Sequence, residues 1–263
     1  MVQAGSTGVP LHWAPDMKPT LLTGLKGTLA PVLAAEIRAR GGDVLGWDRS
    51  AVSPDDEAAT RDFILRSDIS ALVHCGMGSP QWAQCMAECC ASRGIPFLFT
   101  SSVSVFGPHQ VGPFGVETEP EPTDDYGRYK LECERRVLAA HPRAVVVRLG
   151  WQMALGTDGN QMVAHLSRQH SEQGFISASI NWFQACSFLE DTASVLADLL
   201  DGARPGLYHL DGNPGWSFHE IVEALNSKLG FPWRLRATED VRLNNLMRDP
   251  RLRSSSIAAR LGC

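Results

Sequence analysis

Thr20–Asp48 reads TLLTGLKGTLAPVLAAEIRARGGDVLGWD, and the order of its parts decides the fold. Thr20-Leu21-Leu22-Thr23 is a short apolar run that stops at Gly24. From Thr28 to Arg40 the residues Leu29, Val32, Leu33 and Ile37 recur at helical spacing, and Pro31 falls in the first turn, where its missing N–H costs little. Gly41-Gly42 ends that helix, and Val44-Leu45-Gly46-Trp47 makes a second buried strand closing on Asp48. Strand, glycine turn, helix and strand are the opening unit of a parallel α/β sheet.

The turn itself, Gly24-Leu25-Lys26-Gly27 followed by Ala30, has the form G-x-x-G-x-x-A. Glycines let backbone N–H groups approach a pyrophosphate at a helix N-terminus, where the dipole favours anions, and a small third residue lets the helix pack on the sheet. Asp48 stands where a carboxylate would accept from an adenosine ribose. Together they predict a dinucleotide site. Arg49 and Lys26 can instead meet a ribose 2′-phosphate, so both NAD and NADP stay open.

The alternation continues. Ser53–Thr60 is polar with no clear periodicity, and Ala71–His74 is a third strand leading into Cys75-Gly76-Met77-Gly78. Small residues there let a cofactor approach the strand's carboxyl end, which adds Cys75 and Gly76 to the cofactor candidates. Gln81–Arg93 reads as helix, with Cys85, Cys89 and Cys90 as a packing face, and Pro96–Thr100 as a strand running into Ser101-Ser102-Val103-Ser104. A hydroxyl at that edge either satisfies strand-end backbone groups or bonds a substrate carbonyl. After the loop Pro108–Pro122, Thr123-Asp124-Asp125 starts a helix, and Ala144–Leu149 is a further buried strand.

That last helix carries Tyr126-Gly127-Arg128-Tyr129-Lys130. Tyrosine and lysine four residues apart share a helical face, and a fixed cation beside a phenol lowers its pKa, which makes Tyr126 a candidate acid/base. By itself the pair is weak, since it arises by accident in roughly one chain of this composition in twenty. Its weight comes from the glycine turn and the serine-ended strand around it.

Composition bounds the alternatives. The chain has 263 residues and a formal net charge of −5 with no basic stripe, which argues against nucleic acid as the partner. No apolar run reaches the length of a membrane span, and the start of the chain lacks the basic-then-apolar pattern of a secretory signal, so a cytoplasmic enzyme fits best. Seven cysteines without a Cys-x-x-Cys pair indicate free thiols, with no disulfide framework and no metal site. Residues 1–16 read as an extension, 17–150 as a Rossmann-type doubly wound parallel sheet binding NAD(P), and 151–263 mostly as a smaller lobe facing a small-molecule substrate. The helix at about 189–202 is expected to return to the first domain.

With these residues assembled, the chain resembles the extended short-chain dehydrogenases/reductases, most specifically the dTDP-4-dehydrorhamnose reductase-like group. The likeness rests on TGLKGTLA (23–30), TSSVSVFG (100–107), YGRYKLECE (126–134), VVRLGW (146–151), GLYHLDG (206–212) and MRDPRLRSSSIAARLG (247–262). It implies reduction of a keto group on a nucleotide-linked sugar, with hydride from a nicotinamide. In that resemblance Tyr126 donates the proton, Ser102 bonds the carbonyl oxygen, and Lys130 holds the nicotinamide ribose while lowering the tyrosine pKa. Ser104 and Trp151 fall on the substrate side, and a homodimer is compatible with the group. The family's Asp-Gln-x-Gly-x-Pro-Thr segment appears here as Asn181–Phe188, NWFQACSF, and the connection after the third strand is short and lacks the family's asparagine. An epimerase or dehydratase, and a catalytically silent nucleotide-binding regulatory protein of the same fold, are the alternatives.

Overall fold

A computed structural model describes residues 18–156 and 159–262 of the chain. The extension read at residues 1–16 lies outside them. Strands and helices alternate as β1 (Thr20–Thr23), α1 (Leu29–Ala39), β2 (Val44–Gly46), α2 (Glu57–Arg66), β3 (Ala71–His74), α3 (Pro80–Arg93), β4 (Phe97–Ser102), α4 (Asp125–Ala140) and β5 (Val145–Leu149). Beyond them come β6 (Trp151–Met153), α5 (Met162–Gln173), β7 (Ile176–Ser179), β8 (Trp182–Phe183), β9 (Cys186–Phe188), α6 (Leu189–Leu200) and β10 (Gly206–Leu210). The chain then closes with α7 (Phe218–Leu229), β11 (Leu235–Thr238), β12 (Leu243–Asn244) and α8 (Ile257–Leu261).

Six strands form one parallel sheet in the order β10-β5-β4-β3-β1-β2. Side chains alternate between its faces with the two-residue period of a strand. Leu21, Leu72, Phe97, Phe99 and Val146 meet Ile64, Trp82, Met86, Cys133 and Val137 of α2, α3 and α4. Their neighbours Leu22, Val73, Leu98, Val145 and Val147 meet Leu33 and Ile37 of α1 and Ala193 and Leu196 of α6. Both faces are covered, which is why these strands read as continuous apolar runs. The chain leaves β1 towards β2 and returns on β1's other side as β3, so a crevice opens beyond the carboxyl ends of β1 and β3.

Two elements differ from the sequence reading. Ser53–Thr60 was read as unstructured polar chain, yet Glu57 onward is the helix α2, capped by Asp56, whose carboxylate accepts from Ala59 N. Only Thr60 and Ile64 of α2 are buried, too few to print an apolar period. The strand Leu207–Leu210, assigned to the second lobe, is the edge of the main sheet, paired with β5 along its whole length. Helix α6 likewise packs on α1, where Arg40 reaches the Asp198 carboxylate and the Ser194 hydroxyl at 2.6 and 2.9 Å. Residues 189–210 therefore belong to the sheet.

The remaining second half builds a small lobe with its own core, including Met153, Met162, Leu166, Phe188, Phe218, Ile221, Leu225, Trp233 and Ile257. Short parallel pairs β6–β9, β7–β11 and β8–β12 hold it. It joins the sheet at Gly150, where a side chain would fall on the Ala185 backbone. The loop after β4 is pinned to the end of the chain, with Phe114 N donating to Leu246 O and Arg248 N to Phe114 O, both at 2.8 Å.

Candidate active site

The glycine turn occupies the crevice. Gly24 has φ +84°, the left-handed region that glycine adopts without strain, and a Cβ on it would lie 3.0 Å from Gly76 N. The ends of β1 and β3 thus approach backbone to backbone. Behind them Thr23 Oγ1 accepts from Gly76 N at 2.9 Å and meets His74 Nδ1 at 2.7 Å, a fully buried link that composition alone does not announce. Burial and the charges of Lys130 and Arg49 hold His74 well below the ordinary histidine range, so it is neutral. Thr28, at the cap position of α1, makes no side-chain capping bond, which leaves the first helical N–H groups available to an anion. A close glycine cradle, an uncapped helix start and a carboxylate beyond β2 fit a dinucleotide.

That carboxylate, Asp48, is exposed, and its Oδ1 accepts from Ser50 N at 2.9 Å and Ser50 Oγ at 2.6 Å. These bonds, with the nearby Lys26 ammonium, hold Asp48 below the usual carboxylate range. Arg49 turns away from it, donates to the Met77 carbonyl and lies over the Trp82 ring at 5.3 Å. Burial pushes the Cys75 thiol up to about 11, which makes it a neutral wall at working pH.

Across the crevice, β4 ends on Ser102, whose hydroxyl accepts from Ser104 N and lies 3.1 Å from Ser104 Oγ. Asp124 caps α4, accepting from Gly127 N at 2.6 Å. Gly127 explains how the helix start reaches the serines: any side chain there would fall on the Ser104 carbonyl, so only glycine permits the approach. Tyr126 is 44% exposed, and the Ser102 hydroxyl lies close enough to its phenol to lower the phenol's pKa. Lys130 is 3% exposed. Its Nζ donates to Thr100 O at 2.8 Å and sits over the rings of Phe99, Tyr129 and Tyr126 at 4.8, 5.7 and 5.8 Å.

The expected pKa effect is reversed. Burial raises the Tyr126 phenol above its ordinary value, the Ser102 bond lowers it in part, and the Asp124 charge raises it again; Lys130 makes no resolved contribution. Burial also lowers Lys130. A second phenol was missed by sequence reasoning: Tyr129 accepts from Gly78 N at 3.2 Å and so ties α4 to the β3–α3 loop. Thr100 closes the link between the two sides, its carbonyl taking Lys130 and its hydroxyl donating to His74 O at 3.3 Å.

Trp151 stands with the second lobe, half-buried, in a wall with Phe218 (6.1 Å, 11° between planes), Trp182 (6.5 Å) and His165 (5.4 Å, edge-on). Trp182 Nε1 is buried there without a hydrogen-bond partner among the described residues. A cavity of about 480 Å³ lies at the opposite end of the sheet, under the start of β4 and β5, and touches none of these residues. Among the described cysteines all thiols are free. No described helix is long and apolar enough to cross a membrane.

A Rossmann-type sheet with a glycine cradle on one side of its crevice and a serine, tyrosine and lysine on the other defines a class of nucleotide-cofactor proteins. The RmlD substrate binding domain model matches residues 80–252, and the chain belongs to this dTDP-4-dehydrorhamnose reductase-like family of extended short-chain dehydrogenases/reductases. It is 30% identical over 207 residues to a dTDP-4-dehydrorhamnose reductase of Mycolicibacterium smegmatis, covering 72% of this chain and 62% of that protein's length. It is 25% identical over 244 residues to methionine adenosyltransferase 2 subunit beta of Xenopus tropicalis, covering 81% and 72%. The crystal structure of dTDP-4-dehydrorhamnose reductase from Bacillus anthracis in complex with NADP superposes with a TM-score of 0.81 at 18% identity, over 93% of this chain and 97% of that one.

Proposed function

We propose that the chain is an NAD(P)-dependent reductase acting on the keto group of a nucleotide-linked sugar or a similar carbonyl compound. The observation that carries this reading is the cluster at the end of β4: a half-open Tyr126 phenol beside the Ser102 hydroxyl, with a buried Lys130 one turn along the same helix. Gly24, Leu25, Lys26, Gly27, Asp48, Cys75 and Gly76 would hold the cofactor, and Lys130 would hold its nicotinamide ribose. When bound, the reduced nicotinamide supplies a hydride to the carbonyl carbon.

The side chains do the rest. Ser102 donates to the carbonyl oxygen and fixes its direction. As negative charge grows on that oxygen, the Tyr126 O–H bond breaks and the new alcohol O–H forms, so one hydride and one proton turn the ketone into an alcohol. A phenol raised above its ordinary pKa is fully protonated at neutral pH, which is the form an acid needs. The tyrosinate left behind is steadied by the Lys130 ammonium and takes a proton back from solvent through its exposed edge. Trp151 and its aromatic neighbours would form the wall for the sugar nucleotide. Free thiols among the described cysteines suit a reducing compartment, which supports a cytoplasmic reaction.

The test is oxidation of NADH or NADPH with a panel of 4-keto sugar nucleotides. Turnover by the wild type and its loss in Tyr126→Phe support the reading; full activity in that variant overturns the role of Tyr126. An epimerase would convert a nucleotide sugar with no net consumption of cofactor, and a regulatory binding protein would bind cofactor and leave every carbonyl unchanged.

A further inference from the structure

We infer that this chain selects NAD(H) over NADP(H), with Asp48 reading the adenosine ribose and Arg49 serving as a fixed wall of the adenosine site instead of a grip for a 2′-phosphate. The inference rests on the cofactor reading above and assigns the choice that the sequence leaves open.

An arginine directly after the ribose carboxylate is the residue type that clasps a 2′-phosphate through its fork of N–H donors. Here one of those donors is committed elsewhere. The Arg49 guanidinium donates to the Met77 carbonyl, lies 5.3 Å above the Trp82 ring, and passes within 3.1 Å of where a Cβ on Gly76 would sit. It therefore spans from the end of β2, over Gly76, to the loop after β3. Reaching a phosphate would forfeit both a charge-assisted hydrogen bond and a cation–π contact.

The platform beneath it is built to stay. Gly78 lacks the Cβ that would overlap the Trp82 six-membered ring, so the indole packs directly under the loop. Trp47 at 5.3 Å and His74 at 4.8 Å hold it edge-on from two sides. Trp82 is 2% exposed, so the ring face that the exposed Arg49 lies over is a fixed one. A guanidinium in this position offers a flat cationic surface to an adenine, which is indifferent to the ribose phosphate.

Asp48 works in the same direction. Its Oδ1 is held by Ser50 and its carboxylate is ionised, the form that accepts from ribose hydroxyls. A 2′-phosphate would bring about −1.5 to −2 further charges against it. The other cation that acts on Asp48 is Lys26, which has no ion pair within 4 Å among the described residues. One exposed ammonium offsets Asp48 and leaves no surplus for a dianion.

The experiment is titration of the full chain with NADH and with NADPH, read by calorimetry and by quenching of the indole fluorescence of Trp47 and Trp82, with no substrate present. NADH is expected to bind at least tenfold more tightly. Asp48→Ser should narrow that ratio, mainly by tightening NADPH. Arg49→Ala and Arg49→Lys should weaken both cofactors by similar factors and leave the ratio within twofold of wild type. Equal or tighter binding of NADPH to the wild type overturns the selectivity, as does a loss confined to NADPH in Arg49→Ala that Arg49→Lys restores. Binding of neither cofactor overturns the cofactor reading itself, and thermal melts that match wild type show that the variants are folded.

Discussion

Helix α4 buries two charged residues one turn apart and treats them in opposite ways. Glu134 is 3% exposed, and both its oxygens accept from Arg148, at 2.9 and 2.7 Å, in a bidentate pair that Phe106 and His209 enclose. Lys130 is equally buried and, among the described residues, has no carboxylate within 4 Å, only the Thr100 carbonyl and three aromatic faces. A buried ion whose charge is matched fastens α4 to β5. A buried ion whose charge is unmatched costs several kcal/mol of desolvation that the fold does not recover. The difference separates the half of the helix that holds the sheet from the half proposed to face the ligand.

The largest expected effect tests the second half. Tyr126→Phe removes one hydroxyl from a half-open residue, so reductive kcat should fall by ~10²–10⁴-fold while the melting temperature stays within a degree or two. Steady-state turnover and a thermal melt on the same preparation check it. A retained kcat would move the proton donor elsewhere.

Next in size is the matched pair. Glu134→Gln leaves the Arg148 guanidinium buried without its counter-charge, which should cost about 3–5 kcal/mol in urea unfolding. Cofactor affinity measured well below the unfolding midpoint should stay unchanged. If Glu134→Gln is as stable as wild type, the bidentate pair is not what fastens α4 to the sheet.

Lys130→Met reverses the sign. Removing an uncompensated buried ammonium should leave the protein about 1 kcal/mol more stable or neutral, while reductive activity collapses. The pH dependence follows from the lowered pKa of Lys130, whose cause is burial. Between its folded value and the ordinary lysine value of 10.5 the unfolded chain binds the more protons, so stability gains as pH rises through that window. Below the folded value the penalty is constant. The advantage of Lys130→Met over wild type should therefore shrink as pH approaches 10.5, and an advantage that grows instead would show that the lysine charge is stabilised in the fold.

How much of this was legible depended on whether a residue's role is local. The β1-turn-α1-β2 unit could be read because glycine, apolar period and acid lie in one stretch. Tyr126 and Lys130 could be read because a helix fixes their separation. The direction of the Tyr126 pKa could not, since it is set first by how deeply the fold buries the phenol, and then by the opposed effects of Ser102, which lowers it, and the Asp124 charge, which raises it. Nor could the partner of Lys130, a backbone carbonyl 30 residues earlier in sequence. Strand β10 was misplaced because an edge strand and a lobe strand carry the same pattern, and only pairing with β5 tells them apart. Helix α2 was missed because it covers the sheet with just two buried side chains.

The smallest expected effect lies on the substrate side, where the wall is aromatic and uncharged. Trp151 shares its stack with Phe218 and Trp182, so Trp151→Leu removes one face without opening the core beneath, where Met153 and Phe188 remain fully packed. An aromatic contact of this kind is worth about 0.5–1.5 kcal/mol. That corresponds to a rise of roughly 2- to 13-fold in KM for the nucleotide sugar, with kcat held within twofold, because a wall that touches substrate and transition state alike contributes uniform binding. Trp151→Phe should recover most of the loss, since it keeps a ring in the stack. A fall in kcat, or a change in affinity for NAD(P)H, would place Trp151 against the reacting end of the cleft and would join the second lobe to the chemistry proposed for β4 and α4.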